Sequence, residues 1–256
     1  MPFRISQPSF QSLYIEMQAN GITIGRGTAF VASSAIGANF LVTNRHNVTG
    51  RNNDTGELLC KRTAAVPDSM VVWHNSSSSL GEFVRVDVRL FDDKTPRWIE
   101  HPVLRGTADF VAIPVVTRQD VALYPYKTEY LSHMNIEPSQ TVSVVGFPFG
   151  ERTGASFAVW ATGFVASEPE INHGGRPVFL IDCRSREGQS GSPVIRYHNG
   201  GGLITHENGM EVVSPVSQLL GVYSGRINVD SDLGIVWKTY SLAELLDYAS
   251  TLRDAL

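Results

Sequence analysis

The sequence has little cysteine, no long apolar run and no dense basic cluster, and each shortage argues against a class of protein. Only Cys60 and Cys183 occur among 256 residues, so we expect no disulfide framework and two free thiols in a reducing compartment. No stretch approaches the roughly 18 apolar residues of a membrane span. The net charge is -4 and the basic residues are scattered, which gives nucleic-acid binding little electrostatic support.

The N-terminal residues also lack the pattern of an export signal, which is a basic segment followed by an apolar run. We therefore expect a cytoplasmic protein, although a processed and secreted form would show the same pattern. The seven histidines show no His-x-x-x-His spacing and the cysteines no Cys-x-x-Cys spacing. Neither a metal nor another cofactor is predicted.

What the chain does have is a succession of about twelve short strand-like runs, separated by glycine and proline. The run at residues 82–90 is an example, because Val84, Val86 and Val88 alternate with polar residues as a half-buried strand requires. Such a chain avoids exposed strand edges by forming barrels. This pattern of strand-like runs therefore predicts an all-β fold.

One helix is expected at the C-terminal end. Ser241 and Glu244 have the spacing of a capping box, and Leu242, Leu245 and Leu246 then lie on one apolar face. We predict a docked terminal helix over residues 241–254. Mid-chain, the polar stretch at residues 117–138 predicts a division into two domains, 1–125 and 126–256, of six strands each.

The strongest chemical signal is Gly188-Gln189-Ser190-Gly191-Ser192-Pro193. A nucleophilic serine needs an exposed hydroxyl beside backbone N–H groups, and flanking glycines allow the tight turn that presents both. An ordinary glycine- and serine-rich turn before a strand would have the same pattern.

Two further signals are a histidine and an aspartate, each at a strand edge. His46 follows the apolar run 40–43, and Asp109 directly precedes the run 110–113. Alone, each would be read as a polar residue that ends or begins a strand. The rival acids Asp87, Asp92 and Asp93 do not precede such a run and are better explained as strand-face and turn residues.

Together the three residues follow the order His, Asp, Ser, which is that of the chymotrypsin-type triad. The chain resembles bacterial trypsin-like serine peptidases, including the Deg/high-temperature-requirement and glutamyl endopeptidase groups. The matching segments are residues 25–31, 41–46, 109–113, 144–150, 188–194 and 220–225.

The resemblance implies two six-stranded antiparallel Greek-key barrels with a C-terminal α-helix. The first barrel would carry His46 and Asp109, and the second Ser190 and the specificity pocket. Ser190 would attack the scissile carbonyl, His46 would accept its proton and Asp109 would orient His46. The N–H groups of Gly188 and Ser190 would form the oxyanion hole.

The sequence defines the substrate specificity of such a peptidase less clearly. Arg184 lies six residues before the nucleophile, where trypsins place the aspartate that selects basic side chains, and Arg226 follows the pocket-edge strand. Tyr223 stands where glutamyl endopeptidases use histidine, and Ser224 and Gly225 complete the predicted substrate-binding set. The two arginines would either favour an acidic residue before the cut or point to solvent and pair with Glu187 or Asp182; a basic residue before the cut is not expected.

Two functions remain open for this fold. The first is a serine endopeptidase that acts on protein or peptide substrates through an acyl-enzyme. The second is a module that binds peptides and is either catalytically silent or activated by a partner. In the latter case an activating protein partner would be needed. Gln189 replaces the aspartate that pairs with a newly cut N-terminus in digestive members, so activation by N-terminal insertion is not expected. Neither function involves nucleic acid or a membrane.

Overall fold

The computed structural model describes residues 5–61, 63–115, 117–128, 136–198, 216–228 and 230–253. Within these ranges the chain forms two β-structures in succession and ends in an α-helix. No helix in this described part is long and apolar enough to cross a membrane.

The first half is an open half-barrel. Its strands are β1 (Ser12–Ala19), β2 (Ile22–Ser33), β3 (Asn39–Thr43), β4 (Ser69–Ser76), β5 (Phe83–Arg89), β6 (Phe91–Asp92), β7 (Thr95–Pro96), β8 (Val111–Pro114), β9 (Val121–Ala122) and β10 (Tyr126–Lys127). The main sheet has the order β5-β4-β1-β2-β3-β8; β9 pairs with β4, β10 pairs with β2, and β6 and β7 form a separate hairpin. In β5 the valines are partly buried and the alternating polar residues are exposed, as the sequence pattern predicted.

The second half is a closed barrel. Its strands are β11 (Thr141–Gly146), β12 (Val159–Val165), β13 (Val178–Asp182), β14 (Pro193–His198), β15 (Val216–Arg226) and β16 (Leu233–Lys238). They close in the order β11-β12-β13-β16-β15-β14, and all six pairings are antiparallel. The predicted all-β fold of two barrels is confirmed. The second half has the expected six antiparallel strands, whereas the first half is an open sheet of eight strands instead of six, because the short strands β9 and β10 also pair with it.

The helices are short except for the last one. They are α1 (Pro8–Gln11), α2 (Arg45–Thr49) and α3 (Thr239–Arg253), with 3-10 turns at Arg105–Thr107, Pro148–Gly150 and His173–Gly175. Helix α3 is docked as predicted, because Leu242, Leu245 and Leu246 are fully buried.

The predicted start of the terminal helix requires a correction. Helix α3 begins at Thr239 instead of Ser241, and Ser241 donates its hydroxyl to the Lys238 carbonyl at 2.8 Å. The Glu244 carboxylate lies 3.1 Å from Nε2 of His101. The predicted capping box does not form, because both of its side chains have other partners.

Residues 126 and 127, which the predicted domain limit at residue 125 assigns to the second domain, pair with the first sheet. Strand β10 pairs in parallel with the end of β2, and the ring of Tyr126 meets the ring of Phe30 edge-on with centroids 5.5 Å apart. Burial of this aromatic side chain keeps residues 126 and 127 in the first sheet. The residues that follow it, 129–135, lie outside the described ranges.

The two halves share one apolar core cluster. Phe30 and Phe110 of the first half belong to the same buried cluster as Phe147, Trp237 and Leu246. The rings of Phe110 and Trp237 have centroids 5.4 Å apart. Because Phe110 follows Asp109 directly, this contact holds the aspartate strand against the second barrel.

Candidate active site

The carboxylate of Asp109 accepts three hydrogen bonds at the junction of the two halves. Its Oδ1 accepts from the His46 backbone N–H at 3.0 Å, and its Oδ2 lies 2.7 Å from His46 Nδ1. The hydroxyl of Ser224 donates to the same Oδ2 at 2.5 Å. The carboxylate is buried, with 4% of Asp109 exposed, so these bonds are well shielded from water. Because a carboxylate can only accept, Nδ1 is the donor in its hydrogen bond with Asp109.

The local chain around His46 is held by a short helix. Asn44 precedes α2 in an extended conformation, and its Nδ2 donates to the Asp109 carbonyl at 2.6 Å. Gly50 ends the helix in the left-handed region at φ +64° and donates its N–H to the His46 carbonyl. The chain is thereby held before and after His46, and the Asp109 carboxylate orients the His46 ring.

The Ser190 loop requires glycine at two positions. Gly188 has φ +92°, and a Cβ there would lie 2.3 Å from the Phe147 carbonyl oxygen. Gly191 has φ +85°, and a Cβ there would lie 2.2 Å from the Thr28 carbonyl oxygen. Any other residue would combine a strained backbone with a clash against main-chain atoms. This is the physical reason for the glycine pattern that the sequence shows around Ser190.

The peptide between Glu187 and Gly188 is oriented by the neighbouring turn. The Glu187 carbonyl accepts a hydrogen bond from the Phe149 N–H at 2.6 Å. In a trans peptide the N–H points opposite to the carbonyl, so the Gly188 N–H points away from that turn. Neither the Gly188 N–H nor the Ser190 N–H donates to any described residue. Both donors remain available to an acceptor in the cleft.

The Ser190 hydroxyl is not hydrogen-bonded to His46, its predicted partner. It forms no hydrogen bond with any residue that the structure describes, although Ser190 and His46 line the same cleft of about 440 Å³. Hydrogen bonds between a nucleophile and its base are often long or poorly aligned before substrate binds. The structure thus brings the three predicted residues to one cleft and pairs two of them directly.

A buried threonine links the first half to the nucleophile loop, and the sequence reasoning did not single it out. Thr28 donates its hydroxyl to the Gly188 carbonyl at 2.9 Å, and its N–H to the Ser190 carbonyl at 3.0 Å. Asn47 also donates to the Ser190 carbonyl, at 3.2 Å. Thr28 lies in the glycine-bearing strand segment already quoted for the resemblance, and Asn47 follows His46. The available signal was that Thr28 lies in a matching segment and that Asn47 directly follows one.

The five predicted substrate-binding residues divide into two groups. Ser224, Gly225 and Arg226 line the cleft with Ser190. Tyr223 is 2% exposed and does not line the cleft. Arg184 is exposed to solvent and likewise lies outside it.

Gln189, which stands before the nucleophile, is held inside its own loop. Its side chain is fully buried, and its Oε1 accepts the Arg186 backbone N–H at 2.7 Å. This contact stabilises the loop without a newly cut N-terminus.

An ion pair crosses one end of the cleft. Nη1 of Arg176, from the second half, lies 3.0 Å from Oδ1 of Asp54 in the first half. The Arg176 guanidinium also lies 5.9 Å from the ring centre of Trp237. In the described residues there is no group of three or more His, Cys, Asp and Glu side chains that could hold a metal ion.

The chain matches the sequence profile of the trypsin-like peptidase domain over residues 27–203. That range includes His46, Asp109 and Ser190 and covers well over half of the chain. The chain belongs to the trypsin-like peptidase family. It is therefore a trypsin-like serine endopeptidase, which is a hydrolase. Its protease homologues act on protein or peptide substrates. The resemblance stated from the sequence is confirmed.

Solved serine proteases share the fold of this trypsin-like peptidase. The serine endoprotease from Yersinia pestis has a TM-score of 0.55 at 11% identity, over 97% of this chain and 67% of the other. The active form of the Rv3671c protease from M. tuberculosis has a TM-score of 0.50 at 17% identity, over 94% and 81%. An inactive serine-to-alanine mutant of Rv3671c has a TM-score of 0.50 at 16% identity, over 96% and 88%. Among characterised proteins, none matches this chain significantly in sequence.

At such low identities the likeness shows the fold alone, and it agrees with the predicted chymotrypsin-like architecture of two barrels and a C-terminal helix.

Proposed function

We propose that this trypsin-like peptidase cleaves peptide bonds through a Ser190, His46 and Asp109 triad and an acyl-enzyme intermediate. Ser190 Oγ attacks the scissile carbonyl carbon, and its proton moves to His46 Nε2. As the C–N bond breaks, the same proton passes to the leaving amine nitrogen, and the acyl group remains on Ser190. A water molecule then gives its proton to His46 and attacks the acyl carbon. His46 returns the proton to Ser190 Oγ as the new carboxyl product leaves.

The negative charge that develops on the carbonyl oxygen would be stabilised by the N–H groups of Gly188 and Ser190. A donor of this kind contributes on the order of 3 kcal/mol to stabilisation of the transition state. Asp109 stabilises the imidazolium that forms when His46 takes the proton, and it remains a carboxylate throughout.

The observation that carries the proposal is the hydrogen-bonded group of Asp109, His46 and Ser224. The bond from His46 Nδ1 to Asp109 at 2.7 Å orients the imidazole so that its other nitrogen can act as a base. The free N–H groups of Gly188 and Ser190 support the same proposal. They also favour it over the partner-activated alternative, because the carbonyl of residue 187 is already turned away from the oxyanion hole.

The test is hydrolysis of an unfolded protein substrate together with a rapid-mixing assay of an activated ester. We expect wild-type protein to cut the protein substrate and to release the ester's alcohol in a burst, which indicates an acyl-enzyme. Ser190→Ala should abolish both signals, and His46→Ala should lower them strongly. Ser192→Ala is the matched control, because this serine lies in the same loop with its hydroxyl buried and without a hydrogen bond to any described residue. Full activity in Ser190→Ala would contradict the proposal.

A further inference from the structure

The side chain of Tyr223 occupies the space beside the nucleophile loop. Its backbone N–H donates to the Ser192 carbonyl at 2.9 Å, and its carbonyl accepts the Gly191 N–H at 3.0 Å. Its hydroxyl forms a short hydrogen bond with the hydroxyl of Ser185. The ring therefore spans from strand β15 to the segment that leads into Ser190.

This space is where the resemblance to trypsin-like peptidases places the pocket for the residue before the cut bond. If Ser190 attacks the carbonyl carbon, with the oxygen held by the Gly188 and Ser190 N–H groups, that residue lies between residues 184–190 and the edge of β15. The walls of any pocket for its side chain are these two segments and β16, which pairs with β15.

The inner part of the space between those walls is filled by Tyr223 and Ser185. Ser185 is fully buried and Tyr223 is 2% exposed. A Cβ at Gly234 on β16 would come within 2.7 Å of Tyr223 Cε2, so the ring already lies against the backbone there. The open cleft that holds Ser190 is lined by Ser224 and Gly225 and, from β16, by Ile235, but by neither Tyr223 nor Ser185.

The buried part of this space offers no charge to a long side chain, because the charged side chains of Glu187 and Arg226 lie on the open cleft. Burial raises the pKa of the Tyr223 hydroxyl to about 12, so this group is neutral near pH 7. Arg184 is exposed and lies outside the cleft, which leaves no buried charge from that residue for an acidic side chain.

We propose that Tyr223, held by Ser185, closes the primary specificity pocket and restricts cleavage to bonds that follow glycine, alanine or serine. This proposal rests on the proposed function of Ser190 and its oxyanion hole. A larger side chain would have to displace a packed and hydrogen-bonded ring, and overfilling of such a site is strongly disfavoured.

The test uses fluorogenic peptides that differ only in the residue before the cut: Ala, Leu, Phe, Glu or Arg. For wild-type protein we expect kcat/KM for the alanine peptide to exceed that for each of the others by about 100-fold. Tyr223→Ala should raise kcat/KM for the leucine and phenylalanine peptides by a similar factor, because it opens the space that the ring fills. Tyr223→Phe keeps the ring and should keep the wild-type order of substrates.

Thermal unfolding of each variant shows whether it folds, and the wild-type and Tyr223→Phe profiles decide the question even if Tyr223→Ala does not fold. Equal cleavage after alanine and phenylalanine by wild-type protein would overturn the inference. Reaction of Ser190 with a small fluorophosphonate separates the two proposals. A flat profile with a reactive Ser190 refutes only the closed pocket, whereas an unreactive Ser190 with no cleavage refutes both.

Discussion

His74 on strand β4 should make the stability of the protein depend on pH. The residue is 5% exposed. Burial, with a smaller effect from the positive charge of Arg118, lowers the pKa of His74 from 6.5 to about 4. Because the folded protein disfavours the protonated ring, the unfolded chain binds the proton more tightly. This contribution to stability is complete above pH 6.5 and is lost as the pH falls towards 4.

The size of this loss of stability follows from the difference between the pKa values of His74 in the unfolded and folded states. Each pH unit between the two pKa values corresponds to about 1.4 kcal/mol. At pH 5, about 1.5 units below the unfolded pKa, protonation of His74 should lower the free energy of unfolding by about 2 kcal/mol. At pH 4 the loss approaches about 3 kcal/mol.

The assay is urea unfolding followed by tryptophan fluorescence at pH 7 and pH 5. In His74→Gln the difference between the two free energies should be smaller than in wild-type protein by about 2 kcal/mol. Val72→Ala on the same strand is the control, since it removes buried apolar contacts and should lower stability equally at both pH values. An unchanged pH difference in His74→Gln would refute the reasoning.

Three further predictions concern the loop, the carboxylate and the thiols. Gly188→Ala should lower kcat by about 10²- to 10³-fold, because it displaces an oxyanion donor; a loss below threefold in single-turnover assays would contradict this. Ser224→Ala removes one of the hydrogen bonds to Asp109 and should lower kcat about tenfold with little change in KM. In a thiol-labelling assay of native protein Cys60 should react, whereas Cys183, buried with its pKa raised to about 11, should react only after unfolding; equal rates would contradict this.

The candidate triad could be predicted because each member lies in a short segment with its own local pattern. His46 follows an apolar strand, Asp109 precedes one, and Ser190 lies between glycines that the turn requires. The contacts that hold these segments together could not be predicted in the same way. Thr28 bonds to Gly188 across 160 positions of sequence, and no local pattern encodes such a distance.

The placement of the pocket residues could not be predicted because alternation fails at a bulge. The register of β15 against β16 shifts between Tyr223 and Gly225, and a bulge changes which side chains face each side of the sheet. The resemblance to glutamyl endopeptidases placed Tyr223 with Ser224 and Gly225 among the substrate-binding residues, whereas the structure buries Tyr223 and leaves the other two at the cleft. The predicted capping box at the start of α3 failed because of a long-range contact. Glu244 pairs with His101, which is distant in sequence.

We propose that Ser190 is a nucleophile activated by His46. Intact-protein mass spectrometry after exposure to diisopropyl fluorophosphate tests it most directly, followed by identification of the modified peptide. We predict one phosphoryl adduct on Ser190, no adduct in Ser190→Ala, and a much slower reaction in His46→Ala. An adduct on another residue, or equal rates in wild-type protein and His46→Ala, would contradict the claim.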